Sequence, residues 1–290
     1  MERIGANVDP DLALHVHLID PYPPGAGRVW RYAQSPLLRM NSMAEDVTMF
    51  LDDTVVVDGP IRPGPSLWEW VEEVRGGRIV MELPEDVRDE VDTMSSTTFP
   101  TRRLQSGYLA WFFEHVRQNL PPNVTVTVHQ ATATSVAGDD GPQEITLTTG
   151  TLTVDLVLFA LGHLDSEPDP TAAELGRYAA EHGLFYLPPA YSADTDLSGI
   201  EPGQDVLMRG FGLAFVDLMV LLTEGRGGKY RTEPDGTLTY LPSGEEPRMF
   251  VGSRRGVPYH SKTNYRLRAD RPPLPRFFGP DAVVEAVTLA

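Results

Sequence analysis

The sequence predicts an α/β fold that combines a Rossmann-like, doubly wound parallel sheet with an antiparallel β-meander. Three stretches of the 290-residue chain carry this prediction. Residues 205–230 have the pattern of a strand, a glycine turn and an apolar helix, and residues 124–154 alternate as meander strands do. Residues 155–161 form a continuous apolar run, which is typical of a strand buried on both faces. We therefore expect residues 155–161 to be a central parallel strand fed by the meander.

The glycine turn at residues 209–212 is the first candidate binding site. Its sequence is Arg209-Gly210-Phe211-Gly212. Two glycines let the backbone pass close to a pyrophosphate, and the free N–H groups at the start of the following helix attract negative charge. Only Gly-x-Gly is present, because Ala214 and Phe215 stand where a longer fingerprint would continue. A tight strand-to-helix turn without a ligand fits the same residues equally well.

Asp20 ends a predicted strand, residues 15–20, which follows a predicted helix tail over residues 1–8. In a doubly wound nucleotide-binding fold, a carboxylate at such a strand end accepts the ribose hydroxyls. Strand ends also carry Asp as a turn or cap residue, so a purely structural role is the alternative. His15 and His17 share one strand face, which makes a metal-binding pair conceivable, although packing or exposure is the commoner role of such residues.

The loop over residues 22–50 is rich in Gly and Pro, yet it carries many large apolar side chains. These are Trp30, Tyr32, Leu37, Leu38, Met40, Met43 and Phe50. We expect such a loop to wrap a flat apolar group or to pack as a compact loop on its own sheet. Beyond it, the sequence predicts a short helix at residues 68–74, an acidic surface stretch at 82–92 and an amphipathic helix at 107–120.

Two arginine pairs form local basic foci in an otherwise acidic chain. Arg102 and Arg103 precede the predicted helix over residues 107–120, where they either hold phosphates or stay solvated. Arg254 and Arg255 lie among glycines, and such a pair could clamp the 2′-phosphate that distinguishes NADPH from NADH. An exposed turn with counter-ions is the alternative for this second pair.

Composition excludes several classes of function. With 24 Lys and Arg against 41 Asp and Glu, the formal net charge is −17, which argues against a nucleic-acid or anionic-membrane partner. The absence of cysteine excludes disulfides, thiol catalysis, Cys-based zinc sites and iron–sulfur clusters. No apolar run approaches the roughly 18 residues of a membrane span, and the N-terminus shows no apolar signal segment. We therefore expect a cytoplasmic protein.

Five stretches of the sequence resemble one protein family. They are HLIDPYPPGAGRVWR, SPLLRMN, DLVLFALGH, VLMRGFGLAFVDLMVLLTEGRGGKY and GSRRGVPYHSK. Together they are similar to the actinobacterial FAD/NAD(P)-binding proteins that are distantly related to flavin-containing and N-hydroxylating monooxygenases. The resemblance covers nearly the whole chain, and it implies one binding element for FAD and a second one for a nicotinamide nucleotide.

The resemblance also assigns residues to each element. The FAD site would contain Asp20, Trp30 and Asn41. The nicotinamide nucleotide site would contain Arg209, Gly210, Gly212 and Asp217. Gly162 ends a run that is similar to the Ala-Thr-Gly strand end of those flavoproteins, but Leu161 replaces the Thr and removes its usual polar contact.

The resemblance implies two domains. Residues 1–165 would form an FAD-binding-type α/β domain that includes the meander, and residues 166–290 an NAD(P)-binding-type Rossmann-like region. In such proteins a first strand and its Gly-x-Gly-x-x-Gly turn precede the helix whose tail starts this chain, and neither exists in this sequence. We therefore expect an N-terminally truncated flavoprotein fold. The similar proteins continue beyond the helix-like stretch at 282–290, so we expect the second region to be incomplete.

Two functions follow from these observations. The first is a flavin-dependent NAD(P)H oxidoreductase, in particular a monooxygenase, that uses FAD and NADPH or NADH and acts on a small molecule such as an amine or amino acid. No side chain stands out as a general acid, general base or nucleophile, and this suits chemistry carried by a cofactor. The alternative is a non-catalytic or degenerate NAD(P)/FAD-binding protein.

Overall fold

The computed structural model describes residues 1–52, 55–262, 284–285 and 288. Its helices are α1 (Glu2–Asn7), α2 (Leu67–Arg75), α3 (Glu85–Thr93), α4 (Arg102–Gln118), α5 (Pro170–His182) and α6 (Leu213–Leu222). Its strands are β1 (Leu14–Ile19), β2 (Val124–His129), β3 (Ala133–Ala137), β4 (Gln143–Leu147), β5 (Gly150–Val154), β6 (Asp205–Arg209), β7 (Lys229–Thr232), β8 (Leu238–Leu241) and β9 (Arg248–Gly252). The helix-like stretch at 282–290 lies almost entirely outside the described residues.

The strands form parallel pairs and antiparallel units. Strand β1 pairs in parallel with β2, and β6 pairs in parallel with β9. Strands β3, β4 and β5 form an antiparallel meander, and β7 and β8 form a hairpin. The predicted α/β class with parallel strands and a meander is therefore confirmed. Within the described residues, the parallel strands make two separate pairs and not one doubly wound sheet.

Two details of the predicted sheet are wrong. Strand β2, which the alternation placed in the meander, pairs with β1 instead. The predicted central strand at residues 155–161 does not form. Strand β5 ends at Val154, and residues 155–161 pair with no strand in the described part of the chain. Leu156 and Leu158 are 84% and 82% exposed there. An apolar run indicates that burial of these residues is favourable, but it does not identify the element that would bury them.

The main hydrophobic core joins helices α2, α3 and α4. A capping box starts α2, in which Ser66 accepts from the amide of Glu69 and the Glu69 carboxylate accepts from the amide of Ser66. The fully buried side chains that meet in this core include Leu67, Trp70, Val71, Val87, Val91, Leu104 and Tyr108. The predicted helices at 68–74 and 107–120 are confirmed, whereas the acidic stretch at 82–92 is itself largely helical and buries one apolar side.

The loop over residues 22–50 packs against the start of α4. The amide of Met40 donates to the carbonyl of Pro100 at 2.8 Å, and the amide of Arg102 donates to the carbonyl of Leu38 at 2.9 Å. Leu38 is fully buried. The loop is therefore compact, as predicted, but it packs against a helix and not on its own sheet. Its other predicted role, wrapping a flat apolar group, stays a prediction.

Helix α6 is less buried than its sequence predicts. Leu222 is its one buried residue, and Leu213 is 53% exposed. The elements that contact α6 are mainly the short 3₁₀ turns Ser192–Asp194 and Glu224–Arg226, which cover only part of a largely apolar helix. Packing alone therefore holds α6 only at its C-terminal end.

Glu246 organises the hairpin β7–β8. Its carboxylate accepts from the hydroxyl of Tyr240 at 2.6 Å and from the amides of Ser243 and Gly244 at 2.8 and 2.9 Å. These hydrogen bonds, first of all that of Tyr240, lower the pKa of Glu246 to about 2. Burial, followed by the bond to Glu246, raises the pKa of Tyr240 to about 12. The stabilisation from Glu246 is thus complete above its ordinary pKa of 4.5 and is lost as the pH falls towards 2.

We expect the substitution Glu246→Gln to lower the pKa of Tyr240 towards the ordinary value of about 10, because the neighbouring negative charge is removed. The measurement is a titration of tyrosinate absorbance, taken as the difference between each protein and its Tyr240→Phe derivative. Glu245→Gln is the matched control, since it removes the same charge one residue away. A Tyr240 pKa that is equal in Glu246→Gln and in the parent would contradict this assignment.

Candidate cofactor-binding site

The glycine turn and the second arginine pair lie at the same end of the parallel unit β6–β9. Arg209, the last residue of β6, is in register with Gly252, the last residue of β9. The amide of Gly210 donates to the carbonyl of Gly252 at 2.7 Å. Arg254 and Arg255 follow immediately in a bend. The structure therefore brings these predicted residues to the same end of two adjacent parallel strands. The carboxyl ends of such strands are where open α/β sheets bind ligands.

The geometry of the turn leaves room for a ligand. Gly210 has a φ of +116°, which disfavours any side chain, whereas Gly212 has an ordinary extended conformation. A Cβ at either position would meet no atom within 4 Å. No side chain caps the start of α6 at Gly212, so the first N–H groups of the helix await acceptors. Open backbone donors and two arginines at the same strand ends are a donor set that fits a dinucleotide phosphate.

Asp20 follows β1, and one of its carboxylate oxygens stabilises the turn after the strand, which is the structural role predicted as the alternative to ribose binding. The amide of Tyr22 donates to its Oδ1 at 2.8 Å. Its Oδ2 faces Gly27, where a Cβ would lie 3.8 Å from that oxygen. Among the described residues, no donor bonds to Oδ2, so this oxygen is available to a ribose hydroxyl.

The other residues assigned to the FAD site are more scattered. Trp30 is half-buried in the turn-rich loop over residues 22–50. The same loop holds Gln34, whose Oε1 is buried without a hydrogen-bond donor. Asn41 is exposed, and its carbonyl accepts from Nζ of Lys262 at 2.7 Å. Gly162 has a φ of +62° but does not end a sheet strand, so the predicted strand-end position is wrong.

Asp217 lies in a network of ion pairs that the sequence alone does not predict. Arg102 Nη2 donates to Asp217 Oδ2, and Arg102 Nη1 donates to Ser192 Oγ at 3.2 Å. The hydroxyl of Ser192 also donates to Asp217. The arginine–aspartate network, as we call it, consists of Arg28, Arg31, Arg102, Ser192, Asp194 and Asp217.

The second half of the arginine–aspartate network is centred on Asp194. Arg28 Nε donates to Asp194 Oδ2 at 2.8 Å, and Arg31 Nη2 donates to Asp194 Oδ1. Burial alone would raise the pKa of Asp194, but the bonds from Arg28 and Arg31 outweigh it and the pKa is lowered. Hydrogen bonds to Asp165 and then to Asp194 raise the pKa of Arg28. Both acids of the network are thus held in place by cations.

The first arginine pair is ion-paired and not solvated. Arg103 Nη1 donates to Asp86 Oδ2 at 2.7 Å, and its Nε donates to the carbonyl of Gln34 at 2.8 Å. Arg102 is bound to Asp217 as described. Neither of the two predicted roles, phosphate binding or free solvation, describes these side chains.

The histidines of β1 meet a third imidazole from β2. Nδ1 of His17 and Nε2 of His129 are 2.8 Å apart, and the ring centroids of His15 and His17 are 4.1 Å apart. Burial, followed by the neighbouring imidazoles, lowers the pKa of His17. Across the part of the chain that the structure describes, no group of three or more potential ligands is arranged to hold a metal ion.

A comparison with family models decides the classification. The model of the FAD-NAD(P)-binding family matches residues 1–164. The chain belongs to the FAD-NAD(P)-binding family. This match includes β1, Asp20, the loop over 22–50 and the meander, and it confirms the family resemblance seen in the sequence.

Three relatives of this FAD-NAD(P)-binding chain carry names that state a reaction. An L-aspartate N-monooxygenase (nitrosuccinate-forming) of Streptomyces davaonensis is 43% identical over 87% of this chain. A nitrosuccinic acid synthase of Aspergillus oryzae is 44% identical over 90% of it, and a second L-aspartate N-monooxygenase (nitrosuccinate-forming), of Streptomyces cremeus, is 43% identical over 94%. The matches cover 40%, 39% and 42% of those proteins, so this chain spans about two fifths of their length.

No helix in the described ranges of this FAD-NAD(P)-binding chain has the length and apolar character needed to cross a membrane.

The sequence-based search for site residues missed the arginine–aspartate network, including Arg28, Arg31, Ser192 and Asp194. Arg102 and Asp217 were candidates only as members of separate sites, and they lie 115 residues apart along the chain.

Proposed function

We propose that this chain acts in the FAD- and NAD(P)H-dependent oxidation of the amino nitrogen of L-aspartate or of a closely related amino acid. The observation that carries the proposal is the identity of 43–44%, over 87–94% of the chain, to three proteins named for this reaction. The first oxidation of an amine consumes one O₂ and one NAD(P)H with a proton, and it yields a hydroxylamine, water and NAD(P)⁺. A bound flavin would supply the activation of O₂.

The residues present divide between the two cofactors. The free carboxylate oxygen of Asp20 suits a ribose hydroxyl of FAD, beside the half-buried Trp30. The open N–H groups of the glycine turn suit the pyrophosphate of the nicotinamide nucleotide. The sequence contains no Gly-x-Gly-x-x-Gly, so it offers no turn of that type for the flavin pyrophosphate. We assign FAD to residues 1–165 and the nicotinamide nucleotide to residues 166–290, and the family match to 1–164 supports this division.

NADPH is the nicotinamide nucleotide that the site favours. Arg254 and Arg255 have no hydrogen bond or ion pair within the described residues, and they stand at the same strand ends as the glycine turn. Two guanidinium groups match the doubly charged 2′-phosphate. Asp217 does not act on the nucleotide directly, because its carboxylate is engaged by Arg102 and Ser192.

The proposal is tested on the purified chain with FAD and NADPH. We expect reconstitution to give about one FAD per chain, seen as flavin absorbance between about 350 and 500 nm. We then expect L-aspartate to accelerate NADPH oxidation and to yield an N-oxidised product that mass spectrometry detects. Succinate is the matched substrate control, since it keeps both carboxylates and lacks the amine. Asp20→Asn should bind FAD less tightly, because the amide can still hold the turn at Tyr22 but has lost the negative charge.

Two outcomes would contradict parts of this proposal. Bound flavin with NADPH oxidation that responds to another amine but not to L-aspartate would contradict the proposed substrate and support the proposed amine oxidation. No flavin after reconstitution would support the alternative of a non-catalytic nucleotide-binding protein.

A further inference from the structure

Arg102 contacts the two candidate cofactor regions separately, one through its backbone and the other through its side chain. Its amide donates to the carbonyl of Leu38 in the loop over residues 22–50, at 2.9 Å. Its guanidinium binds Asp217 of α6 and Ser192 of the connection that precedes β6. We propose that Arg102 is a positioning residue, which acts through Asp217 to fix the glycine turn and α6 relative to the loop over residues 22–50, which we call the flavin-type loop.

The start of α4 is rigid enough to serve this role. Thr101 caps the helix, since its hydroxyl accepts from the amide of Leu104 at 3.1 Å. The carboxylate of Glu90 in α3 accepts from the amide of Thr101 at 2.8 Å and also from its hydroxyl. Arg102 is therefore anchored to the main core immediately before its side chain leaves the helix.

Helix α6 needs such a contact. Its one buried side chain, Leu222, is at the end remote from the glycine turn, so packing leaves the ligand-binding end weakly held. Asp217 lies four residues after Leu213, the first residue of α6, which is one helical turn from the site. The side chains of Arg102 and Asp217 are 17% and 15% exposed, so water and salt screen this pair much less than a surface pair.

The other half of the arginine–aspartate network supports the same connection. Ser192 and Asp194 belong to one short 3₁₀ turn, and Asp194 is held by Arg28 and Arg31 of the flavin-type loop. The turn that contacts Asp217 is thus itself fastened to residues on the flavin side. This inference rests on the proposed function, because hydride transfer between two cofactors requires their mutual position to be fixed.

The absence of cysteine allows a direct measurement of position. Spin labels on Gln118→Cys, at the exposed end of α4, and Ala214→Cys, in the first turn of α6, report the distance between the two helices. We expect a narrow distance distribution in the parent and one at least twofold broader in Arg102→Gln and Asp217→Asn. Arg102→Lys should restore it in part, since Lys keeps the charge but not the forked contact. Arg231→Gln is the matched control, because it breaks an exposed ion pair elsewhere.

The second readout is the anaerobic reduction of bound flavin by saturating NADPH. We expect Arg102→Gln to slow this step about 10- to 100-fold while the affinity for FAD stays unchanged. An unaltered distance distribution in Arg102→Gln would overturn the proposal, and so would a broadened distribution with a normal rate of flavin reduction. A parent chain that binds no flavin would instead remove the proposed function, and the distance distributions would still decide whether Arg102 fixes α6.

Discussion

Replacing Gly212 by valine should raise the Kd for NADPH about 10- to 100-fold, or about 1.4–2.7 kcal/mol, without a comparable loss of stability. The backbone at Gly212 has an extended conformation that valine adopts, and its Cβ would meet no atom of the chain within 4 Å. The added side chain would instead occupy the space where a pyrophosphate must approach the first N–H groups of α6. The measurements are NADPH titration and thermal unfolding.

Gly141→Val is the matched control for Gly212→Val. Gly141 also lacks a positive φ, and a Cβ there would also meet no atom within 4 Å, but this glycine lies in the loop between β3 and β4. Gly210→Ala provides the contrasting case, because a φ of +116° strains any side chain and should destabilise the fold by about 1–2 kcal/mol. Unchanged NADPH binding in Gly212→Val would make residues 209–212 a strand-to-helix connection without a ligand.

Elements whose signals are local were predictable from the sequence. The strand ending at Asp20, the helix containing Tyr108 and the strand–turn–helix around Gly210 all have their hydrophobic period and their stop signals within a few residues. The antiparallel pairing of β4 with β5 agrees with the predicted meander, and a two-residue turn joins the two strands. For these elements the local pattern and the tertiary structure agree.

Elements that depend on distant partners were not predictable. Residues 124–129 alternate like a meander strand, but alternation does not state whether the neighbour is parallel, and the partner β1 is 110 residues away in register. Residues 155–161 show the same limit, since their apolar run calls for burial and the described chain supplies no partner strand.

The candidate site divides in the same way. A nucleotide site is indicated by the glycines, the strand-end carboxylate and the arginine pair, because each of these features acts through local backbone geometry or charge. The arginine–aspartate network has no such signal, because Arg102 and Asp217 are 115 residues apart and Arg28 and Asp194 are 166 apart. The family resemblance assigned Asp217 to the nicotinamide nucleotide site, yet its carboxylate binds Arg102.

Replacing both Arg254 and Arg255 by alanine should raise the Kd for NADPH about 10- to 100-fold and the Kd for NADH by no more than about threefold. The two nucleotides differ only in the 2′-phosphate, so a loss confined to NADPH reports contact with that group. The structure supports this outcome because the arginines follow β9 directly and β9 pairs with the strand that leads into the glycine turn. Titration of each nucleotide against the double variant is the measurement.

Arg248→Ala is the matched control, since Arg248 begins β9 and pairs with Asp205 at the opposite end of the unit β6–β9. Its removal takes away a positive charge from the same strand, roughly 13 Å from the candidate site at 3.3 Å per residue. If the effect came only from a general loss of positive potential, Arg248→Ala would also weaken NADPH binding. High salt would then reduce the weakening to the same extent in all variants. An equal loss of NADPH and NADH in the double variant would contradict contact with the 2′-phosphate. A selective loss would place the adenosine end of NADPH beside β9, and the glycine turn would then face its pyrophosphate.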